Sequence, residues 1–571
     1  MIRLVRYTIV WILFFIFIKS SVFAFSQNKF GIHLARPDYE EVVKAANLVN
    51  SSGGEWGYVT VVMQENERDL QRWQDFFNEL RRHKLIPIVR LASSPEGSVW
   101  RRPDRSSIDD WVNFLQSLNW VVKDRYIILF NEPNHAVEWG GRVDPVDYAD
   151  TALEFAKRLK QVDSNYFIML AGVDLAAPDS MPNYMSADRF ITTVVNRIGK
   201  ENFETFFSGW ASHSYPNPSF SASVFKTGRL SVQGYKWELS LLRSLGIDKD
   251  LPVFITETGW RLGGSLSESL IADYYRYAFV NIWLPDKDVV AVTPFILNYH
   301  TEPFASFSWQ KPNQNDFYEF YNVVSEIPKV QGDPEIIDTA EIKGYVGKKL
   351  IANSKYRFKI EITNTGQKIW SDSSKYKMTL VADNNKDLKD SFDIKFTKIP
   401  QLEPEESSVV YLDFFTKKPG LDLNLYLVLK DDRGYEIAKT EPWFLEVSKS
   451  PSLFISLRLF PKVYKPTTEV EVQIFDNNDS LVFKKKPVKI VKGEGFIDQV
   501  FNIEYDKKYR VVVLKEYYLP RQSFVVFRSD QEKINLKSLL PLDLDADGAF
   551  EVSDLLKSFV SLSSWSRWLP F

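Results

Sequence analysis

Eight short apolar runs recur between residues 29 and 332, most of them separated by amphipathic helical patterns, and this alternation limits the folds open to the chain. The runs are Phe30–Leu34, Gly57–Met63, Ile86–Leu91, Tyr126–Phe130, Phe167–Val173, Phe206–Ser212, Val253–Thr256 and Val289–Leu297. Several lack polar alternation, as strands buried on both faces of a parallel sheet do. Between them, Glu67–Lys84 places Leu70, Trp73, Phe76, Phe77 and Leu80 at helical spacing. Eight strand–helix units point to an α/β fold, a (β/α)8 barrel of about 250 residues or more. A doubly wound open sheet is the competing arrangement, but no glycine-rich phosphate turn follows the first run.

Beyond Pro334 the helical pattern disappears. Tyr356–Ile362 and Leu423–Leu429 alternate as half-buried strands, and Asp431–Gly434 reads as a turn. A second all-β stretch begins near Ser450, with Val470, Val472 and Ile474 on one face and Tyr509–Leu514 as a buried strand. The expected organisation is a leader at 1–26, the barrel at 27–332, a β-sandwich at 333–449, a small all-β domain at 450–537 and a tail at 538–571. At 571 residues the chain is too long for one core. A net charge of −3 gives no footprint for nucleic acid.

The leader has a basic start at Arg3 and Arg6, an apolar stretch at Thr8–Ile18 and a small-residue cleavage signal at Val22-Phe23-Ala24. It is shorter than the roughly 20 residues of a comfortable membrane span. Secretion or display at the cell surface is expected, with an uncleaved anchor as the lesser alternative. Cysteine is absent, so an exported chain of this kind relies on core size rather than disulfides.

Two runs end alike. Tyr126–Phe130 stops at Asn131-Glu132-Pro133, where proline cannot continue a sheet ladder, and Val253–Thr256 stops at Glu257. A barrel opens all C-terminal strand ends on one face, so Glu132 and Glu257 can converge. Two facing carboxyls are what cleavage of a sugar acetal requires, one to protonate the leaving oxygen and one to attack the anomeric carbon. The attacking group must stay ionised and needs positive charge nearby. The acid must keep its proton, through an apolar wall or the field of the other carboxylate. His33, His135, His213 and His300 fall at or beside predicted strand ends, as sugar contacts or, in a competing reading, as metal ligands. Trp139, Trp260 and Tyr299 are candidate stacking rings, with core packing an equal alternative for each.

The segments ILFNEPN, SHSYPNP and FITETGW make residues 29–332 resemble clan A of the glycoside hydrolases. The resemblance implies a retaining O-glycosidase acting on a poly- or oligosaccharide without a catalytic cofactor. It implies Glu132 as acid/base, Glu257 as nucleophile and Asn131 as the partner of the neighbouring sugar hydroxyl. Tyr215 would then hydrogen-bond Glu257, His213 would line the site, and Arg90 would be the basic residue beside the nucleophile. Where the clan often has tryptophan at the eighth strand, this chain reads Ile296-Leu297-Asn298-Tyr299-His300. A non-catalytic glycan-binding or adhesion protein on the same scaffold, and a transglycosylase, are the alternatives.

Ile362–Trp370 resembles the Asn-x-Gly…Trp signature of immunoglobulin-like accessory domains, which implies Trp370 in a core. The tail Asp543–Asp554 places Asp543, Asp545, Asp547 and Asp554 at calcium-loop positions 1, 3, 5 and 12, with Gly548 at the turn. Aspartate at the last position resembles a dockerin loop, present once rather than twice. It implies Ca2+ and a docking partner, a scaffold or cell-surface protein. The chain is expected to be monomeric.

Overall fold

A computed structural model describes residues 25–383, 387–460 and 467–560. The leader segment up to Ala24 and the end of the tail lie outside the described residues. The chain divides into two compact units, Met1–Ile337 and Asp338–Phe571.

The first unit carries eight parallel strands: β1 Gly31–Leu34, β2 Gly57–Gln64, β3 Leu85–Ala92, β4 Arg125–Leu129, β5 Tyr166–Leu170, β6 Trp210–His213, β7 Val253–Glu257 and β8 Val289–Val292. Strands β1 to β5 pair in order as one sheet, and β6, β7 and β8 form a second. A parallel bridge between Phe30 and Val292 joins β1 to the β8 side. Between β5 and β6 no strand pairing forms among the described residues, and one backbone bond, Ser208 N–H to Ile168 O at 2.8 Å, crosses the seam. The expected closed barrel is therefore corrected to an eight-strand parallel α/β arrangement with one unzipped seam. The cause is local. The expected sixth strand begins at Phe206, but that residue ends a helix, Lys200–Phe206, and β6 keeps only four residues.

The eighth strand is also shorter than expected. It stops before Pro294, which has no N–H for a ladder, and the chain then turns across the strand ends. The helix expected at Glu67–Lys84 is Leu70–Arg82, capped by Asp69, whose side chain accepts from Arg72 N. Trp73, Phe76, Phe77 and Leu80 face the core as expected, whereas Leu70 in the first turn is exposed.

The inner core is aromatic at one end. Tyr58, Tyr126, Phe167 and Phe254 meet with ring centroids 5.2–6.1 Å apart. Phe25 packs edge-on against Phe167 and Phe254, and Ser26 is buried, so packing begins two residues inside the segment assigned to the leader.

The second unit is almost entirely β. A four-stranded and a five-stranded sheet enclose one core that draws Ile360, Ile362 and Leu412 from the first and Leu425, Leu427 and Leu445 from the second. Trp370 is fully buried there, its indole N–H donating to Asp338 Oδ1 at 3.0 Å. Asn364 closes the Asn-x-Gly turn by accepting from Gly366 N. A seven-stranded sheet holds a further core around Val472, Ile474, Val511 and Val513. Among the described residues no helix is long and apolar enough to cross a membrane.

Phe254 touches four other rings. Phe254→Ala is expected to cost about 3–5 kcal/mol, read as a lower urea midpoint for the first unit's unfolding.

Candidate active site

The strand ends set the site. Arg90 lies near the end of β3, Asn131 and Glu132 just beyond β4, His213 ends β6, Glu257 ends β7 and His33 lies in β1. Arg90, Asn131, Glu132 and Glu257 line a cavity of about 270 Å3, and His213 and His33 lie behind its wall in contact with those carboxylates.

Getting Glu132 there requires unusual backbone. Phe130 and Glu132 both have positive φ, 73° and 28°. Such conformations cost on the order of 1–3 kcal/mol each in non-glycine residues and persist only where neighbours enforce them. Tyr148 enforces one side: its hydroxyl donates to Leu129 O and accepts from Ala171 N, fixing the ends of β4 and β5. Asn134, fully buried, enforces the other by donating to Asp174 O and Met185 O. Glu132 N itself donates to Gly172 O.

Glu257 is held from several sides. Arg90 donates from Nη1 both to Glu257 Oε1 and, at 2.7 Å, to Asn131 Oδ1. The Tyr215 hydroxyl donates to Glu257 Oε2 at 3.1 Å. His213 Nδ1 sits 2.8 Å from Glu132 Oε1 and 3.8 Å from Glu257 Oε2. Burial would raise the Glu257 carboxyl, but the charges on His213 and Arg90 outweigh it and hold it at about 2. Burial also opposes a charged His213, and the two glutamates overcome that, so its pKa is raised. His33 behaves oppositely: burial, then Arg90, push it down to about 3. Its Nδ1 faces Leu34 O at 3.1 Å, which assigns the proton there and leaves Nε2 unprotonated toward Glu257 at 3.8 Å.

Oxygens of Glu132 and Glu257 and a nitrogen of His213 all lie within 4.8 Å of one another. That trio could hold a cation by distance, but the Arg90 guanidinium already supplies positive charge at Glu257.

Two of the expected stacking rings are elsewhere. Trp139 is fully buried and donates to Asp147 Oδ2; Trp260 is buried against Tyr274 and Tyr275 and donates to Ala222 O. Both are core residues, because each indole N–H finds its partner inside the fold. Tyr299 is half-buried beside Phe304. His300 is exposed and does not line the cavity.

The cavity also contains groups that sequence reasoning missed. Glu138, three residues after His135, is pushed up to about 7 by burial and then by Glu132. His135 pairs with Asp174 at 2.9 Å. Beneath them Gly172 meets the His213 ring so closely that an added Cβ would stand 2.2 Å from Cδ2. Behind β6, buried Glu238 accepts from Ser212 Oγ, which contacts Ser214 Oγ at 2.8 Å. Thr258 Oγ1 donates to Ser214 O, so one polar chain ties the segments on either side of His213 and Glu257.

No protein-family model and no curated protein matches the sequence. Among solved structures the chain is similar to AbfB, a family 51 alpha-L-arabinofuranosidase from Bifidobacterium longum. The identity is 10%, over 69% of this chain and 97% of that one, with a TM-score of 0.36. Endo-glycoceramidase II from Rhodococcus sp. is 9% identical over 68% and 96%, with a TM-score of 0.32. BcpA, the major pilin subunit of Bacillus cereus, is 13% identical over 36% and 71%, with a TM-score of 0.19. Likenesses this weak carry no mechanism, and the chemistry of the site has to come from its own residues.

Because the folded value of Glu257 lies below its ordinary 4.5, its ionised form stabilises the fold above that value, and the contribution is lost as pH falls through about 2. Arg90→Gln is expected to move the Glu257 titration upward, read from carboxyl 13C shifts assigned with Glu257→Gln. An unmoved value would deny the guanidinium its role.

Proposed function

We propose that the protein is an exported retaining glycoside hydrolase whose first unit is a (β/α)8 barrel with an open seam between β5 and β6. The observation that carries this reading is the approach of Glu132 and Glu257, one of them clamped by Arg90 and Tyr215. Retaining enzymes hold their carboxyls about 5–5.5 Å apart, against roughly 6.5–9.5 Å for inverting ones. The nearest-oxygen spacing within 4.8 Å supports the first class.

In the first step a Glu257 oxygen attacks the anomeric carbon as the bond to the leaving oxygen breaks, and that oxygen takes a proton from Glu132. The proton is stored across the Glu132–His213 contact, where a buried imidazole with a raised pKa faces the carboxyl. In the second step water attacks the glycosyl-enzyme, Glu132 receives its proton, and Glu257 is released. Asn131, fixed by Arg90, presents its amide to the hydroxyl beside the reacting carbon. Water as the acceptor makes the protein a hydrolase; a sugar acceptor would make it a transglycosylase.

We also propose Ca2+ in the tail. Asp543, Asp545 and Asp547 converge within 4.8 Å, and the Oδ1 atoms of Asp543 and Asp545 are buried without a partner. Burial, then the charges of Asp547 and Asp554, raise the Asp543 pKa, an arrangement a cation relieves. Gly548 takes the positive-φ turn. Asp554, expected as the fourth ligand, instead accepts from Leu544 N and Glu551 N at the start of helix Val552–Val560 and so braces the loop.

A 2-fluoro glycoside should label Glu257 covalently, shown by peptide mass spectrometry, and label on another residue would defeat the assignment. Glu132→Ala should retain far more activity on aryl glycosides with good leaving groups than on natural glycosides; equal losses would remove the acid role. For the tail, Tb3+ luminescence displaced by Ca2+ is expected in the full chain and absent in Asp545→Ala.

A further inference from the structure

The cavity has two unlike sides. Toward β4 stand Asn131, Glu132, His135 and Glu138, all able to bond sugar hydroxyls. The segments after β6 and β8 add a continuous run of aromatic rings, of which Tyr215, Phe220, Phe295, Phe304 and Phe307 line the cavity. Tyr215 meets Phe220 at 4.9 Å, Phe220 meets Phe307 at 5.1 Å, and Phe307 meets Phe295 at 6.1 Å. Phe295 then meets Phe304 at 5.3 Å, and Phe304 meets Tyr299 at 5.6 Å. Every contact is edge-on, and Phe304, the last of these rings to line the cavity, is 41% exposed.

The wall starts at the chemistry, since Tyr215 is the ring that donates to Glu257. Its one donor is thereby spent, and the four phenylalanines offer no polar atom. A sugar hydroxyl buried against these phenylalanines would lose its water partner and gain none, a loss of about tenfold or more in affinity each. Phe220 is held in the wall by positive φ at both Ser219 and Phe220, 56° and 55°, which is a true outlier for a bulky ring. Strain of that kind at a cavity points to a position the site requires.

We propose that this ring wall is the subsite for an alkyl or aryl aglycone, so that the substrate is a glycoside with an apolar group on its anomeric oxygen. The assignment rests on the hydrolase reading above, and the test separates the two. Methyl through n-octyl β-glycosides of glucose, galactose, mannose and xylose share nearly the same leaving-group chemistry and differ in apolar length. Sugar release is measured with the wild-type full chain, and binding by calorimetry with Glu257→Gln. With a correct wall, kcat/KM and affinity rise about three- to fourfold per buried methylene over the first carbons. Phe304→Ala and Phe307→Ala flatten that slope, while Phe225→Ala, whose ring lies against Tyr277 outside the wall, leaves it at the wild-type value. A flat wild-type slope overturns the wall even when sugar is released. A slope in binding with no sugar released keeps the wall and removes the hydrolase. Absence of both binding and release overturns both.

Discussion

The Arg90 guanidinium is the group on which the site depends. It reaches from β3 to Glu257 on β7 and to Asn131 beyond β4, joining three strands by two hydrogen bonds from one nitrogen. A buried charge pair is stabilising only where its remaining valences are met, and here the Tyr215 hydroxyl donates to Glu257 while the His213 ring lies 3.8 Å away. Removing the cation would leave a buried ionised carboxylate with too little compensation. The arrangement holds the Glu257 carboxyl well below its ordinary range, while Glu132 lies against an imidazole.

That division of labour follows from geometry rather than composition. Glu132 and Glu257 are the same side chain, each delivered by the end of a parallel strand. One is placed against a guanidinium and a phenol, the other against His213 alone among the ion pairs it makes. The strained turn at Phe130 and Glu132 sets the Glu132 carboxyl against His213, and Tyr148 and Asn134 hold that turn in place.

Much of this is legible in the sequence because short β-rich runs ending in glutamate fix where a carboxyl emerges. Arg90, Asn131, His213 and Tyr215 also sit at or just beyond strand ends, and the structure brings them together. The rings at Trp139 and Trp260 are not separable by pattern from stacking platforms, since an indole in a core and one in a cleft follow the same local spacing. Glu138 gives no signal beyond its nearness to His135, and its character comes from burial beside Glu132. The phenylalanine wall is assembled from two distant segments, so spacing does not reveal it. The sixth strand is shorter than its apolar run suggests because Phe206 and Phe207 are apolar in either conformation, and the helix that takes Phe206 is set by packing. In the tail, the first three aspartates converge, but Asp554 is turned toward backbone N–H groups at the start of the helix that follows the loop.

Gly172 has no side chain to contribute, yet it sets the gauge of the cluster formed by His213, Glu132 and Glu257. The imidazole of His213 rests where a methyl group would otherwise be, and any larger residue would displace the ring toward the two glutamates. The seat of the imidazole beside the two carboxyls is therefore set by an omission. Redesign of this cavity has room to change the outer rings, but the blank position under the histidine admits no substitution without moving the groups packed on it.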